Sequence, residues 1–275
     1  HAEVRYKHEL PNYGVFDEKR VFGPGPLPEP VEFRGIRLGL PICEDVWFPA
    51  VASHLADHDA ELLIVPNGSP FEVDKSEQRL ARITERVHEC GLPLIYVNQV
   101  GGQDELVFDG GSFVVNSDRQ LAQVLPSWKD SIALTGWART DKGWHCDGHT
   151  TFVEEPRLSA VYHAMVLGLR DYVRKNNFPG VLLGMSGGID SALTAAVAVD
   201  ALGSQRVRGV RLPSRFTTPP SLDDAAESAR LLGMRLDTVD IEAPVAGAES
   251  ALSALFAGLE RDVTEENLQA RVRGV

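Results

Sequence analysis

The sequence lacks several features that mark specialised classes of protein. Only three of its 275 residues are cysteines, and their spacing fits neither a disulfide framework nor a metal-binding motif. Such sparse use of cysteine is typical of a reducing compartment, so we expect a cytoplasmic protein. An apolar run of about 18 residues, the length that a membrane-spanning helix needs, is also missing, and we therefore expect no membrane partner.

Basic residues are scarce as well. Lysine and arginine number 27 against 39 aspartates and glutamates, which gives a formal net charge of −12 at pH 7. A protein that binds nucleic acid usually presents a basic patch, and this sequence has no basic stripe, so we expect no nucleic-acid partner. Its 43% hydrophobic and 24% charged residues are typical of a globular protein, and its length accommodates two domains.

The first half of the sequence alternates short apolar runs with amphipathic segments. Strands are predicted at 35–42, 62–65 and 94–98, and helices at 49–59 and 76–90. Asp109-Gly110-Gly111 further predicts a hairpin between the apolar runs 106–108 and 112–115. This alternation predicts a layered α/β domain with its chemistry at the carboxyl ends of the strands.

Proline and glycine breaks between residues 126 and 156 separate this region from the rest of the chain. We place the domain boundary there, with a first domain over 1–150 and a second over 151–275. In the second domain, helices are predicted at 159–175, 192–202 and 222–233, and strands at 181–183, 207–212 and 236–241. The order of these elements predicts a second parallel sheet.

A glycine-rich loop joins the predicted strand 181–183 to the helix that follows it. The loop consists of Gly184, Met185, Ser186, Gly187, Gly188, Ile189, Asp190 and Ser191. Unpaired backbone amides and the helix dipole favour an anion at such a helix start, and glycine lets the backbone approach it closely. Asp190 adds a carboxylate suited to Mg²⁺. The lysine of a Walker A loop is absent, and a tight strand–helix connection without a ligand is the alternative.

Cys43 is placed between a predicted strand and a predicted helix. The dipole of a following helix can stabilise a thiolate at this position, which would make Cys43 a nucleophile at neutral pH. From its position alone, Cys43 could equally be a small residue of the hydrophobic core. The segment Cys43-Glu44-Asp45-Val46-Trp47 resembles the nucleophile segment of the nitrilase superfamily, and residues 7–18 resemble the lysine segment of its glutaminase branch.

The glutaminase branch uses a Glu–Lys–Cys triad, and the resemblance assigns roles to individual residues. It implies Cys43 as the nucleophile that carries a γ-glutamyl thioester and Lys7 as the lysine that stabilises the oxyanion. It also implies that Tyr13, Ser69 and Lys75 contact glutamine. The ordinary alternatives are that Tyr13 packs in a turn, that Ser69 is a turn residue and that Lys75 is a surface lysine. The general-base glutamate of the triad is expected upstream of His1.

The loop over 184–191 resembles the pyrophosphate loop of the N-type ATP pyrophosphatases, which cleave ATP between the α and β phosphates. A nitrilase-type glutaminase ahead of such a domain resembles the glutamine-dependent NAD⁺ synthetases. The resemblance implies a nitrilase-like α-β-β-α sandwich followed by a doubly wound parallel-sheet domain related to the adenine nucleotide alpha hydrolases. It also aligns Asn267 with a contact to deamido-NAD⁺, although the run at 264–267 is by itself a capped helix start.

The implied reaction is the amidation of deamido-NAD⁺ to NAD⁺. ATP adenylates the nicotinate carboxylate, and ammonia released from glutamine at Cys43 then displaces AMP. ATP and Mg²⁺ are the implied cofactors, with Asp190 as the metal ligand. Since ammonia needs a shielded passage, tight domain packing and a homo-oligomer are expected.

Two other functions remain open at this point. One is a stand-alone nitrilase-type amidase whose second domain only binds a nucleotide, and the other is an inactive scaffold fragment. The start at His1 and the end within a predicted helix further predict that the sequence is a piece of a longer protein.

Overall fold

In a computed structural model of the chain, residues 3–258, 260 and 262–274 are described. The polypeptide forms two compact units, His1–Gly168 and Leu169–Val275. The division lies inside the helix Arg157–Lys175. The domain boundary near residue 150, in the loop ahead of this helix, stays a prediction.

The first unit contains a mixed sheet with two helices on one face. Its strands are β1 (Val31–Phe33), β2 (Ile36–Gly39), β3 (Leu62–Asn67), β4 (Leu94–Asn98), β5 (Val100–Gln103), β6 (Leu106–Asp109), β7 (Phe113–Val115), β8 (Leu121–Val124), β9 (Trp137–Thr140) and β10 (Gly143–Cys146). Its helices are α1 (Pro49–Asp57) and α2 (Lys75–Cys90), and α3 (Arg157–Lys175) leads into the second unit. The predicted strands and helices of this half are confirmed, with shifts of a few residues at their ends.

The six-stranded sheet has the order β1-β2-β3-β4-β7-β8. Its strands β2, β3 and β4 run parallel, so their carboxyl ends meet at one edge. Apolar side chains of β3 and β4, such as Leu63 and Tyr96, form the core together with Leu55 of α1 and Val87 of α2. The loops that follow β2, β3 and β4 at this edge carry the candidate chemistry.

The predicted hairpin at Asp109-Gly110-Gly111 is wrong. β6 pairs with β5, whereas β7 pairs with β4 and β8. The two glycines do adopt positive φ angles, +72° and +62°, but they carry the chain from one sheet into another. Packing decides the pairing, because Phe113 of β7 stacks on the buried ring of Tyr96 in β4 at 4.9 Å between ring centroids.

The second unit is a three-stranded parallel sheet with helices connecting its strands. Its elements are β11 (Val181–Gly184), α4 (Ile189–Leu202), β12 (Val207–Arg211), α5 (Pro219–Leu232), β13 (Arg235–Thr238), α6 (Glu242–Leu252) and α7 (Val263–Val272). The strand order β11-β12-β13 and the parallel pairing confirm the predicted βαβαβ arrangement. Buried alanines on α4 and α5, including Ala195 and Ala225, let both helices lie close to the sheet.

Within the described ranges, no helix is both long enough and apolar enough to cross a membrane.

Candidate active sites

Cys43 lies near the carboxyl edge of the parallel strands in the first unit. A 3-10 turn over Cys43–Trp47 follows β2, and α1 begins only at Pro49. Cys43 thus lies between a strand and a helix, as the sequence predicted, but the intervening 3-10 turn separates the thiol from α1, so the helix dipole acts on it only weakly. Instead, Cys43 has a φ angle of +50°, a left-handed conformation that is costly for a residue with a side chain.

A buried carboxylate fixes the position of this turn. The side chain of Asp45 accepts hydrogen bonds from the backbone amides of His8 at 3.0 Å and Glu9 at 2.7 Å. Both amides directly follow Lys7 in the chain. Asp45 thus ties the turn of Cys43 to the segment that carries the predicted catalytic lysine.

Lys7 forms an ion pair with Glu18. Its Nζ donates to the two carboxylate oxygens of Glu18 at 2.9 and 2.8 Å. The Lys7 and Glu18 side chains are 17% and 26% exposed, so the pair is largely shielded from water. The sequence had identified Lys7 but had assigned no role to Glu18.

The thiol of Cys43 responds to several charges around it. Burial raises its pKa, the Lys7 ammonium and a hydrogen bond from the Gly68 backbone lower it, and Glu44 and Glu18 raise it. The net pKa is above the ordinary value for cysteine. At neutral pH the site therefore holds a neutral thiol, and a base has to accept its proton before or during nucleophilic attack.

Two further predicted residues, Tyr13 and Lys75, interact with Glu44, which directly follows the nucleophile. The Tyr13 hydroxyl donates to the buried carboxylate of Glu44 at 2.9 Å. Burial, the largest effect, raises the pKa of the Glu44 carboxyl above its ordinary value, although the hydrogen bond from Tyr13 and the charges of Lys7 and Lys75 act to lower it. Lys75 begins α2, and its Nζ lies 3.3 Å from a carboxylate oxygen of Glu72.

Ser69 follows Gly68 in the loop after β3 and is buried. Arg79 of α2 holds this loop, because its Nε donates to the Ser69 hydroxyl at 3.1 Å and its Nη2 donates to the Ser69 carbonyl at 2.9 Å. The Arg79 guanidinium in turn donates to both carboxylate oxygens of Asp109 at 2.8 and 2.7 Å. A buried ion pair therefore positions the Ser69 loop, and loss of either partner would leave the other charge uncompensated.

The loop of the second unit has the strand–loop–helix geometry that the sequence predicted. The hydroxyls of Ser186 and Ser191 lie 3.1 Å apart, and the Gly188 amide donates to the Ser186 hydroxyl at 3.2 Å. Gly187 has a φ angle of +85°, and a Cβ at this position would lie 2.2 Å from the carbonyl oxygen of Ser221. A side chain at Gly187 would therefore require the backbone to move.

Ile189 and Asp190 occupy the first turn of α4 and are both exposed. The Asp190 carboxylate is accessible at the edge of the loop. An oxygen ligand of this kind is the donor that Mg²⁺ prefers, so the residue is chemically suited to that ion.

A cavity of about 500 Å³ lies beside this loop. Its lining includes Gly184, Met185, Ser186, Arg211, Ser221 and Gln269. Such a volume is in the range of small-molecule sites. Within the described ranges, α7 contributes Glu266 and Gln269 to the lining, and Arg273 follows directly after the helix, whereas the exposed Asn267 is not part of the lining.

Sequence reasoning did not identify four residues that shape the first site, namely Glu18, Glu44, Asp45 and Arg79. Glu18 is the last residue of the lysine segment 7–18, and Glu44 and Asp45 directly follow the nucleophile. The motifs themselves could therefore have indicated these three residues. Arg79 carries no such signal, because an arginine within a polar helix usually faces solvent.

Both halves of the chain match known protein families. Residues 2–139 match the carbon–nitrogen hydrolase family, and residues 161–275 match the NAD synthase family. The chain is 50% identical over 269 residues to the glutamine-dependent NAD(+) synthetase of Rhodobacter capsulatus, an alignment that covers 98% of the chain and 49% of that protein. It is 45% identical over 271 residues to the enzyme of the same description from Xylella fastidiosa, with 98% and 50% covered.

The fold is also similar to that of a solved structure. The glutamine-dependent NAD⁺ synthetase of Acinetobacter baumannii, solved in complex with adenosine diphosphate, superposes with a TM-score of 0.90 at 42% identity. The similarity covers 98% of this chain and 51% of that one. The chain thus spans about half the length of the curated relatives it matches.

Proposed function

We propose that this chain, which belongs to the carbon–nitrogen hydrolase family and continues into an NAD synthase segment, carries the two centres of a glutamine-dependent NAD⁺ synthetase. Such an enzyme is an ATP-dependent carbon–nitrogen ligase with glutamine as its amido donor. It converts deamido-NAD⁺ to NAD⁺ and cleaves ATP to AMP and pyrophosphate. The observation that carries the proposal is the presence, in one chain, of Cys43 beside the charge of Lys7 and of the phosphate-type loop at 184–191.

At the first centre, the sulfur of Cys43 attacks the side-chain carbonyl carbon of glutamine. The neutral thiol loses its proton to a general base. Negative charge then develops on the carbonyl oxygen, and the Lys7 ammonium stabilises it. The base returns the thiol proton to the amide nitrogen, so that collapse of this intermediate releases ammonia and leaves a thioester, which water hydrolyses to glutamate and free Cys43. Glu18 holds Lys7 in position during these steps.

The charges around Cys43 are complementary to free glutamine. Its α-carbon carries an ammonium and a carboxylate, and the site offers a carboxylate on Glu44 and an ammonium on Lys75. We assign Glu44, held by Tyr13, to the ammonium of glutamine and Lys75 to its carboxylate. Ser69, which Arg79 holds, belongs to the same glutamine pocket.

At the second centre, ATP binds with its phosphates on the loop at 184–191. The amides of this loop and the hydroxyls of Ser186 and Ser191 hold the departing pyrophosphate. Asp190 would hold Mg²⁺, an ion that supplies positive charge against the phosphates when it is bound. We retain Asn267 as a contact for deamido-NAD⁺, because its neighbours Glu266 and Gln269 on α7 line the adjacent cavity.

We also propose a cytoplasmic location and a homo-oligomeric assembly for the enzyme. Three free cysteines within the described part of the chain support the location, since disulfides are typical of oxidising compartments. The assembly rests on the need to shield ammonia from water between its release and its use.

The test of this function is synthesis of NAD⁺ by the full-length protein with either glutamine or ammonium as the nitrogen source. We expect Cys43→Ala to lower glutamine-driven synthesis by about 10³-fold or more, since the nucleophile is removed, and to leave ammonium-driven synthesis unchanged. Cys90→Ala, which alters a half-buried thiol at the end of α2, serves as the matched control.

Loss of both activities in Cys43→Ala would mean that the residue is structural. Glutamine hydrolysis without any formation of AMP from ATP and deamido-NAD⁺ would instead support a stand-alone amidase.

A further inference from the structure

One carboxylate and two imidazoles converge on the surface of the first unit, on residues that the proposed reaction does not use. Glu29 lies in the proline-rich segment ahead of β1, His54 lies on α1, and His58 caps the end of α1. Because the two histidines are four residues apart, they share one face of the helix. One ligand atom from each of the three residues lies within 4.8 Å of the other two.

The tautomer of His58 is fixed by its environment. Its Nδ1 lies 2.8 Å from the backbone carbonyl oxygen of His54. A carbonyl oxygen can only accept a hydrogen bond, so Nδ1 carries a proton, and in the neutral imidazole Nε2 then has the lone pair. Donation of the second ring nitrogen to a backbone carbonyl is the arrangement that orients metal-ligating histidines.

The side chain of His54 provides the second observation. Its Nε2 is shielded from solvent and makes no hydrogen bond within the described ranges. It lies 3.4 Å from a carboxylate oxygen of Glu29, which is longer than the usual N–H···O distance of about 2.7–3.2 Å. Two ligands of a tetrahedral zinc ion, with bonds of about 2.0–2.2 Å, are separated by about 3.3–3.5 Å. The spacing of His54 and Glu29 matches two ligands of one ion, and the His54 and His58 rings, whose centroids lie 4.0 Å apart, would rotate to direct both nitrogens at it.

We propose that Glu29, His54 and His58 bind a divalent transition-metal ion. Two imidazoles and one carboxylate match Zn²⁺ best among the ions that proteins commonly hold, and the fourth position would be open to water. The bound ion would fasten the segment ahead of β1 to α1.

This segment also contacts the backbone beside the proposed catalytic lysine. The Glu29 carbonyl accepts a hydrogen bond from Arg5 Nε at 2.7 Å, and the Gly25 amide donates to the carbonyl of Lys7 at 2.8 Å. Metal binding would therefore stabilise the chain at residues 5 and 7. The metal site itself does not depend on the proposed reaction.

The test is calorimetric titration of the full-length protein with Zn²⁺ at neutral pH. A Cys43→Ala background removes the thiol at the proposed catalytic site as a competing ligand. We expect His54→Asn and Glu29→Gln each to lower the affinity for one Zn²⁺ ion by about tenfold or more. His88→Gln, which alters an exposed histidine on α2, should leave the titration unchanged.

Glu29 is an exposed loop residue, so Glu29→Gln remains informative even if His54→Asn fails to fold. Replacement of Zn²⁺ by Co²⁺ should give the visible absorption of a four-coordinate nitrogen and oxygen site, and this absorption should be lost in both variants. Absence of Zn²⁺ binding, or equal binding in both variants and the His88→Gln control, would overturn the proposal.

Discussion

The thiol of Cys43 lies among charged side chains of opposite sign. Burial raises its pKa, Lys7 and the Gly68 backbone lower it, and Glu44 and Glu18 raise it. Lys7 and Glu18 bind each other directly, yet they act on the thiol in opposite directions. This opposition allows their contributions to be separated by substitution.

We expect Lys7→Met and Glu18→Gln to shift the pKa of Cys43 in opposite directions. Removal of the Lys7 cation should raise the pKa further, and removal of the Glu18 anion should lower it. The rate of alkylation by iodoacetamide as a function of pH reports the pKa of the thiol. Glu32→Gln, an exposed position on β1, is the control, and shifts of the same sign in Lys7→Met and Glu18→Gln would contradict the observed geometry.

Sequence reasoning at the residue scale identified the nucleophile but not the network around it. Cys43 and Lys7 stand in recognisable segments, whereas the partner of Arg79 is Asp109, thirty positions away in the chain. Nothing in the local sequence distinguishes this buried arginine from a solvated one. Only the pairing of the strands brings the two charges together.

Among the structural elements, the loop at 184–191 depends most strongly on one residue type. Gly187 combines a positive φ angle with a close approach to the Ser221 carbonyl, so both strain and steric overlap oppose any side chain. We expect Gly187→Ala to lower the free energy of unfolding by on the order of 1–3 kcal/mol. Urea denaturation of the full-length protein, followed by a probe in the second unit, measures this loss.

Gly247→Ala is the matched control, because Gly247 lies in α6 with free space around it. Its expected effect is neutral or a gain of about 0.5–1 kcal/mol, from the higher helix propensity of alanine. Equal stability of the Gly187 and Gly247 variants would contradict the constraint that the positive φ angle and the Ser221 carbonyl place on Gly187.

The elements themselves were predictable wherever apolar residues form short runs. The parallel strands β3, β4 and β11 follow from such runs, and the glycine loop follows from its position between a strand and a helix. The strand pairing after Asp109 was not predictable, because two glycines with positive φ fit a hairpin and a change of sheet equally well. The contact between Phe113 and Tyr96 decided between them, and local sequence does not contain that contact.

At the scale of the whole molecule, the proposed function requires two reactions with separate residues. Asp190→Asn should lower NAD⁺ synthesis by about 10²-fold with either nitrogen source, while hydrolysis of glutamine persists. Asp224→Asn, an exposed carboxylate on α5, is the control. A near-normal rate of NAD⁺ formation in the Asp190 variant would contradict its assignment to the metal.

The central claim is that nitrogen released at Cys43 becomes the amide nitrogen of NAD⁺. The direct measurement supplies glutamine labelled with ¹⁵N in its side-chain amide, together with unlabelled ammonium, ATP and deamido-NAD⁺, to the full-length protein. We expect the nicotinamide of the product to carry ¹⁵N in the original protein and only unlabelled nitrogen in Cys43→Ala. Label in the product of Cys43→Ala, or none in that of the original protein, would contradict the claim.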